Sequence, residues 1–274
     1  MSDTLGEVMA RVAASRRYRH VAPAMLRRLA VEEQARGGKP DEVAHRVRRR
    51  LHQAVGAFAG QGRADRGLDV LHAAWRGDPG DPSFREACAG ALRAHASTRE
   101  RVPHLDSFYA AIWEVTGPPR TAVIDLGCGM GPLALPWMQL ADGVSYHACD
   151  VDGAALETVA AFLQLVGRPG EVEARDLVSD VAGLPAGDVA LLLKLVPTLD
   201  RQDADAAARL LRAVEAEHAV VSFPARSLGG RGKGMDRAYR GRLDRLLEEV
   251  GRVTEVREAS VPNELVFVLE LSRG

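Results

Sequence analysis

The sequence predicts an α/β fold: a seven-stranded, doubly wound sheet with an antiparallel edge hairpin, preceded by an all-α N-terminal domain. Three observations carry that prediction. Residues 1–104 show helical punctuation and almost no strand signal. From about residue 105, short apolar runs alternate with helical segments, the grammar of successive βα units. The last two runs, 253–261 and 264–271, leave no room for a helix between them, so they pair as an antiparallel hairpin. The expected domains are 1–104 and 105–274.

In the first region the clearest helix runs from Pro40 to Phe58, where Val43, Val47, Leu51, Ala54 and Phe58 form an apolar stripe. Pro40 suits a first turn, and Asp41 and Glu42 favour the positive end of the helix dipole. Arg46, Arg49, Arg50 and Gln53 occupy the other face. Met25, Leu26, Leu29 and Val31 mark an earlier helix closed by Gly37-Gly38. Asp81-Pro82 reads as an N-cap and first-turn proline opening a helix to about Ala96. About five short helices in one bundle are expected.

In the second region a helix through Phe108, Ile112 and Trp113 ends at Gly117-Pro118-Pro119. Strands are expected at 121–127, 144–150, 172–177, 188–196 and 218–223, followed by the hairpin.

Composition narrows the class. Apolar residues make up 46% of the chain and charged ones 27%, as in an ordinary soluble domain. No apolar run nears the roughly 18 residues that span a bilayer, and the N-terminus lacks a signal-peptide pattern, so the cytoplasm is expected. Cys88, Cys128 and Cys149 are widely spaced and odd in number, which fits reduced apolar cysteines rather than disulfides; no metal site is expected. Residues 1–104 hold 19 Lys and Arg against 12 Asp and Glu, a balance of +7; the remainder holds 17 against 25, or −8. That asymmetry fits a first region that meets a polyanion, although a solvated helical surface has the same composition.

The chemistry concentrates between Val123 and Asp150. Asp125-Leu126-Gly127-Cys128-Gly129-Met130-Gly131 follows a strand and precedes apolar Leu133, Leu135, Trp137 and Leu140, which predict a helix. Gly127 and Gly129 let the backbone turn and approach a ligand closely. The loop is Asp-x-Gly-x-Gly rather than the Gly-x-Gly-x-x-Gly of dinucleotide enzymes. S-adenosylmethionine has no pyrophosphate and carries an ammonium and a sulfonium, so an acidic loop suits it. Asp150 ends the second strand 19 residues beyond Gly131, where an acid can accept the ribose hydroxyls. Asp176-Leu177 ends the third, where a carboxylate can hold the adenine amino group beside an apolar wall. Each acid alone could equally be a strand-end residue; three in succession point to a Rossmann-like S-adenosylmethionine-dependent methyltransferase.

The nucleophile follows by exclusion. After the fourth strand stands Lys194-Leu195-Val196-Pro197-Thr198, not the Asn/Asp-Pro-Pro-aromatic run of exocyclic-amine methylation. No Cys lies beyond 149 for C5-pyrimidine attack. An acceptor that is already nucleophilic remains, such as guanine N7, and alignment supplies most of the catalysis. Lys194, at a strand end beside the acceptor entry, is a positioning and RNA-binding candidate or else a solvated lysine. The glycine-rich loop with Arg226, Arg231, Lys233, Met235 and Arg237 could clamp RNA, or be a surface loop.

The chain resembles the 16S ribosomal RNA guanine-N7 methyltransferases of the aminoglycoside-resistance family found in aminoglycoside-producing actinomycetes. The resemblance rests on His95-Ala96-Ser97-Thr98-Arg99-Glu100-Arg101 before the core, Asp125-Leu126-Gly127-Cys128-Gly129, Lys194-Leu195-Val196-Pro197-Thr198-Leu199, and Ser222-Phe223-Pro224 leading into Ser227-Leu228-Gly229-Gly230-Arg231. It implies methylation of the guanine the family labels 1405, in the decoding site of the 30S subunit; a monomer is expected, although the sequence itself does not reveal the oligomeric state. It also implies that Phe58, His95, Ala96, Ser97 and Arg101 reach the cofactor from the N-terminal side, Arg101 on the methionine carboxylate. Gly127, Asp150, Asp176, Leu177, Leu192 and Gln202 would line it within the core. The helical region, with Arg46, Arg49 and Arg50, would dock on ribosomal RNA. A small-molecule methyltransferase with a helical cap and a non-catalytic ribosome assembly protein are the alternatives.

Overall fold

The computed structural model describes residues 2–55, 64–224 and 233–272. Among the described residues, five helices precede residue 104: α1 (Ser2–Ala13), α2 (Pro23–Gln34), α3 (Pro40–Val55), α4 (Ala64–Ala74) and α5 (Pro82–Ala94). The predicted stripe of α3 is buried at Val43, Val47, Leu51 and Ala54; Phe58 lies outside the described residues. Asp81 caps α5 by accepting the backbone N–H of Ser83 at 2.8 Å and of Phe84 at 3.1 Å.

These helices do not form one bundle. α1–α3 enclose their own core of Val12, Leu29, Val47 and Leu51. α4 and α5 instead bury Leu71, Phe84 and Leu92 in the core of the sheet region. The Phe84 ring stacks 6.0 Å from that of Phe162, far along the chain. Helical periodicity shows that a face is buried but not what covers it, which is why a single bundle was expected.

After a 3-10 turn at Val102–His104 comes α6 (Leu105–Thr116), closed by Gly117 in a left-handed conformation at φ 73°. The chain continues through β1 (Ala122–Leu126), α7 (Leu135–Met138), β2 (Ser145–Asp150), α8 (Gly153–Leu165), β3 (Val172–Ala174) and β4 (Ala186–Leu193). It ends with α9 (Val196–Asp200), α10 (Ala206–Ala213), β5 (Glu215–Pro224), α11 (Lys233–Val250), β6 (Val253–Ala259) and β7 (Glu264–Leu271). The sheet order is β3-β2-β1-β4-β5-β7-β6. β1 to β5 run parallel, and β7 enters antiparallel between β5 and β6. The seven-stranded doubly wound sheet, its antiparallel edge hairpin and the all-α N-terminal region are therefore present as expected. The three cysteines are free and buried.

Two local expectations differ from the structure. The helix after the glycine loop is a 3-10 turn (Gly131–Ala134) followed by the single turn of α7, and Leu140 falls beyond it. Pro132 and Pro136 explain this, since neither donates an N–H and each crowds the preceding turn. β3 stops at Ala174, so Asp176 and Leu177 lie in the turn after it rather than at its end. Among the described residues no helix is long and apolar enough to cross a membrane.

Candidate functional site

The strand order reverses between β1 and β4, and at such a switch point the loops beyond the strand ends part to leave a crevice. A cleft of about 940 Å³, counting the space open to solvent, lies there.

The β1 loop forms its floor. Gly127 has φ 69°, and a Cβ there would stand 2.7 Å from the Cδ1 of Leu195, so only glycine fits. Gly129, at φ 48°, donates its N–H to Asp150 Oδ2 at 2.8 Å. The N–H of Asp152 reaches Asp150 Oδ1 at 2.9 Å. Each carboxylate oxygen thus accepts a backbone N–H, and the residue lines the cleft, where a carboxylate can also accept a ribose hydroxyl. Burial raises the affinity of Asp150 for its proton, partly offset by these N–H groups.

Asp125 lies beneath the floor and is not part of the cleft wall. It accepts a hydrogen bond from the Tyr146 hydroxyl at 2.7 Å. Burial pushes its pKa up to about 7, against the opposing effects of Tyr146 and Arg101. It sits against the loop, close under Gly131.

At the far end, Leu177, Val178, Leu195 and Leu199 offer an apolar wall for a flat base. Asp176 also lines it, but its carboxylate receives Arg28 Nε at 2.6 Å and Nη2 at 3.2 Å. Ser179 Oγ, at 3.0 Å, and the Val178 N–H, at 3.3 Å, complete four donors. Arg28 Nη2 also reaches Gln202 Oε1 at 2.9 Å. His95 and Ser97 close the opposite side, and burial lowers the pKa of His95.

The third end is built from charges. Lys194 follows β4 with φ 59°, an uncommon conformation for a residue with a side chain. Its N–H is held by the Ser222 carbonyl at 3.1 Å and hydroxyl at 3.0 Å. Its ammonium contacts the Ser97 carbonyl at 3.3 Å, Glu100 at 3.1 Å and Glu264 at 3.3 Å. Glu264 is buried and also accepts from Arg101 Nε at 2.5 Å, Arg101 Nη2 at 2.8 Å and Ser222 Oγ at 2.9 Å. Burial alone would raise the pKa of Glu264; Arg101, Lys194 and Ser222 override it and hold the carboxyl below its usual range.

Of the predicted cofactor residues, the structure gathers His95, Ser97, Gly127, Asp150, Asp176, Leu177 and Gln202 on one cleft. Ala96 is exposed and points elsewhere. Leu192 is fully buried, and Leu193 takes its place on the wall because alternate strand residues face opposite sides. Arg101 is bound to Glu264 and stacked over Phe108, and is absent from the wall.

The RNA candidates divide as well. Arg46 and Arg50 pair with Glu33, which is buried, while Arg49 is exposed. The ammonium of Lys194 already has three protein acceptors. Met235 is half-buried and Arg237 exposed on α11. Arg226, Arg231 and the side chain of Lys233 lie outside the described residues. Arg28 and Glu264 were not among the predicted site residues, and Ser222 entered only through the Ser222-Phe223-Pro224 motif. Glu264 shows in the sequence as the acid that opens the apolar run of β7.

The ribosomal RNA methyltransferase (FmrO) family matches residues 14–268. The chain belongs to this family. It is 39% identical over 263 residues to a 16S rRNA (guanine(1405)-N(7))-methyltransferase of Frankia casuarinae, covering 94% of this chain and 90% of the relative. It is 36% identical to one from Micromonospora echinospora, covering 98% and 97%. Among solved structures, the 16S rRNA methyltransferase RmtF in complex with S-adenosyl-L-homocysteine superposes with a TM-score of 0.83 at 32% identity, over 99% of this chain and 100% of that one. The 16S rRNA methylase RmtB superposes with a TM-score of 0.79 at 26% identity, over 98% of each chain. The FmrO-family match begins at residue 14, just after α1, so α2 and α3 belong to the family pattern along with the sheet.

Proposed function

We propose that this FmrO-family chain is a 16S rRNA (guanine(1405)-N(7))-methyltransferase that uses S-adenosylmethionine, acts on the 30S subunit in the cytoplasm and so confers aminoglycoside resistance. The observation that carries the cofactor is Asp150, a half-buried carboxylate in the cleft lining whose two oxygens are held by backbone N–H groups. The acidic floor suits the cationic methyl donor, and the RmtF structure holds the demethylated form of that donor.

The acceptor end supports N7 over an exocyclic amine. Two cations, Arg101 and Lys194, face two carboxylates, Glu100 and Glu264, so this end is charge-balanced. Both carboxylates are engaged by cations, which leaves neither of them free to take a proton. Methylating N7 needs no proton removed: the S–CH3 bond breaks as the N7–CH3 bond forms, and the positive charge passes from sulfur to the purine. The chain's residues then serve to align the partners, to hold the ribose and to keep Lys194 from repelling the developing cation.

Docking is proposed to use the α1–α3 unit, with Arg49 among its exposed cations. A small-molecule methyltransferase would explain the cleft but not the family match through α2 and α3.

The test is transfer of a tritiated methyl group to 30S subunits, free 16S RNA and small metabolites in parallel. Label on 30S subunits is expected. Label on metabolites alone would contradict the ribosomal reading, and cofactor binding without any label would favour an assembly protein.

A further inference from the structure

Arg28 of α2 bonds into the cleft wall across 148 residues of sequence. It makes two bonds to Asp176 and one to Gln202, and both of those residues line the cleft. The pair is sequestered, with 12% of the Arg28 side chain and 2% of that of Asp176 exposed. A carboxylate offers about four acceptor positions, and Asp176 has four donors on it. Four donors from two parts of the chain therefore hold the Asp176 carboxylate in one orientation on the cleft wall.

Gln202 is fixed at both ends. Its Oε1 accepts from Arg28, and its Nε2 donates to the Thr198 carbonyl at 3.3 Å. The same α1–α3 unit is tied down beside the ribose site. The Ala22 N–H donates to the Val151 carbonyl at 2.7 Å, and the Gly153 N–H donates to the His20 carbonyl at 2.7 Å. A Cβ on Gly153 would stand 2.7 Å from that His20 oxygen, so the approach is close.

We propose that Arg28 is a positioning residue for the cofactor site, supplied by the N-terminal helical unit, which fixes Asp176 and Gln202 so that the base end of the cleft is complete only while α2 is seated. This deepens the cofactor reading above and rests on it. A single guanidinium holds both wall residues because its rigid planar fork presents Nε and Nη2 at a fixed spacing, Nε to Asp176 and Nη2 to Asp176 and Gln202. The cofactor site is then divided between two cores, and cofactor occupancy and the seating of α1–α3 favour each other.

The experiment is calorimetric titration of the full chain with S-adenosylhomocysteine, with thermal unfolding measured alongside. Arg28→Ala should weaken binding by at least about tenfold, the size of a lost bond to a charged group. Arg28→Lys should restore part of that, since it can pair with Asp176 without also holding Gln202. The double variant Arg28→Ala/Gln202→Ala should bind no more weakly than Arg28→Ala alone, because the two act in one chain of contacts. If Arg28→Ala does not fold, Arg28→Lys with Gln202→Ala makes the same comparison. Wild-type affinity or tighter binding in Arg28→Ala, or full additivity in the double variant, would overturn the proposal while leaving the cofactor reading intact. A wild-type chain that does not bind the ligand would overturn both.

Discussion

The ribose end of the cleft and its acceptor end both rely on carboxylates, the half-buried Asp150 and the buried Glu264, and they satisfy them in opposite ways. Asp150 takes backbone N–H groups from Gly129 and Asp152, neighbours in space because β1 and β2 are adjacent strands. Glu264 takes side chains from Arg101, Lys194 and Ser222, gathered from a turn after α5 and from the ends of β4 and β5. The ribose end is thus set by the path of the chain and tolerates changes around it. The acceptor end is a network in which removing one member strands the others, because a buried charge without a partner is costly.

Breaking the network should therefore give the largest effect. Glu264→Ala leaves Arg101 and Lys194 facing each other without their shared carboxylate, and should lower stability by about 3–5 kcal/mol, read by urea unfolding. A loss below 1 kcal/mol would show the network to be loosely coupled. Lys194→Gln keeps the fold but removes the charge that orients this end. It should cut methyl transfer to 30S subunits by about a hundredfold, the scale of a misaligned reacting pair, with cofactor affinity little changed. Equal losses in both would place Lys194 on the cofactor instead.

Asp150→Ala tests the other end. It should weaken S-adenosylhomocysteine binding by about 2 kcal/mol in calorimetry while leaving the melting temperature nearly intact. Asp125 gives a subtler, pH-dependent signature. It binds its proton near pH 7 in the fold. The unfolded chain binds that proton only near pH 4. Between those values the native state holds the extra proton, so Asp125 makes stability fall as pH rises, and the loss is complete above pH 7. Asp125→Asn should flatten that slope in thermal melts from pH 4 to 8. The smallest effect is expected at the surface: Arg49→Glu should weaken 30S binding severalfold and reduce its salt dependence, whereas Arg50→Gln should act mainly on stability through Glu33.

The same contrast explains what could be read before the fold was known. Gly127, Gly129 and Asp150 are bound by strand-and-turn geometry over a short stretch, so a linear motif describes them well. The apolar stripe of α3 was legible for the same reason, though not the partition of five helices between two cores. Glu264 and Arg101 are 163 residues apart, and Arg28 and Asp176 are 148 apart. No local spacing rule links such pairs. Arg101 was expected on a ligand and Arg46 and Arg50 on RNA because a charged residue in a sequence does not display its partner. In the fold, Glu264 holds the first and Glu33 the other two. The off-by-one at Leu192 and Leu193 has a similar origin, since a strand's register fixes which of two neighbours faces the cleft.

The most direct test of the account is to incubate the full chain with S-adenosylmethionine and 30S subunits, digest the 16S RNA, and locate any methyl group by mass spectrometry. The account predicts a single N7-methylguanine in the decoding-site fragment, lost in the Lys194→Gln variant. A methyl group on an exocyclic amine or a ribose, or a guanine modified elsewhere in the RNA, would contradict it.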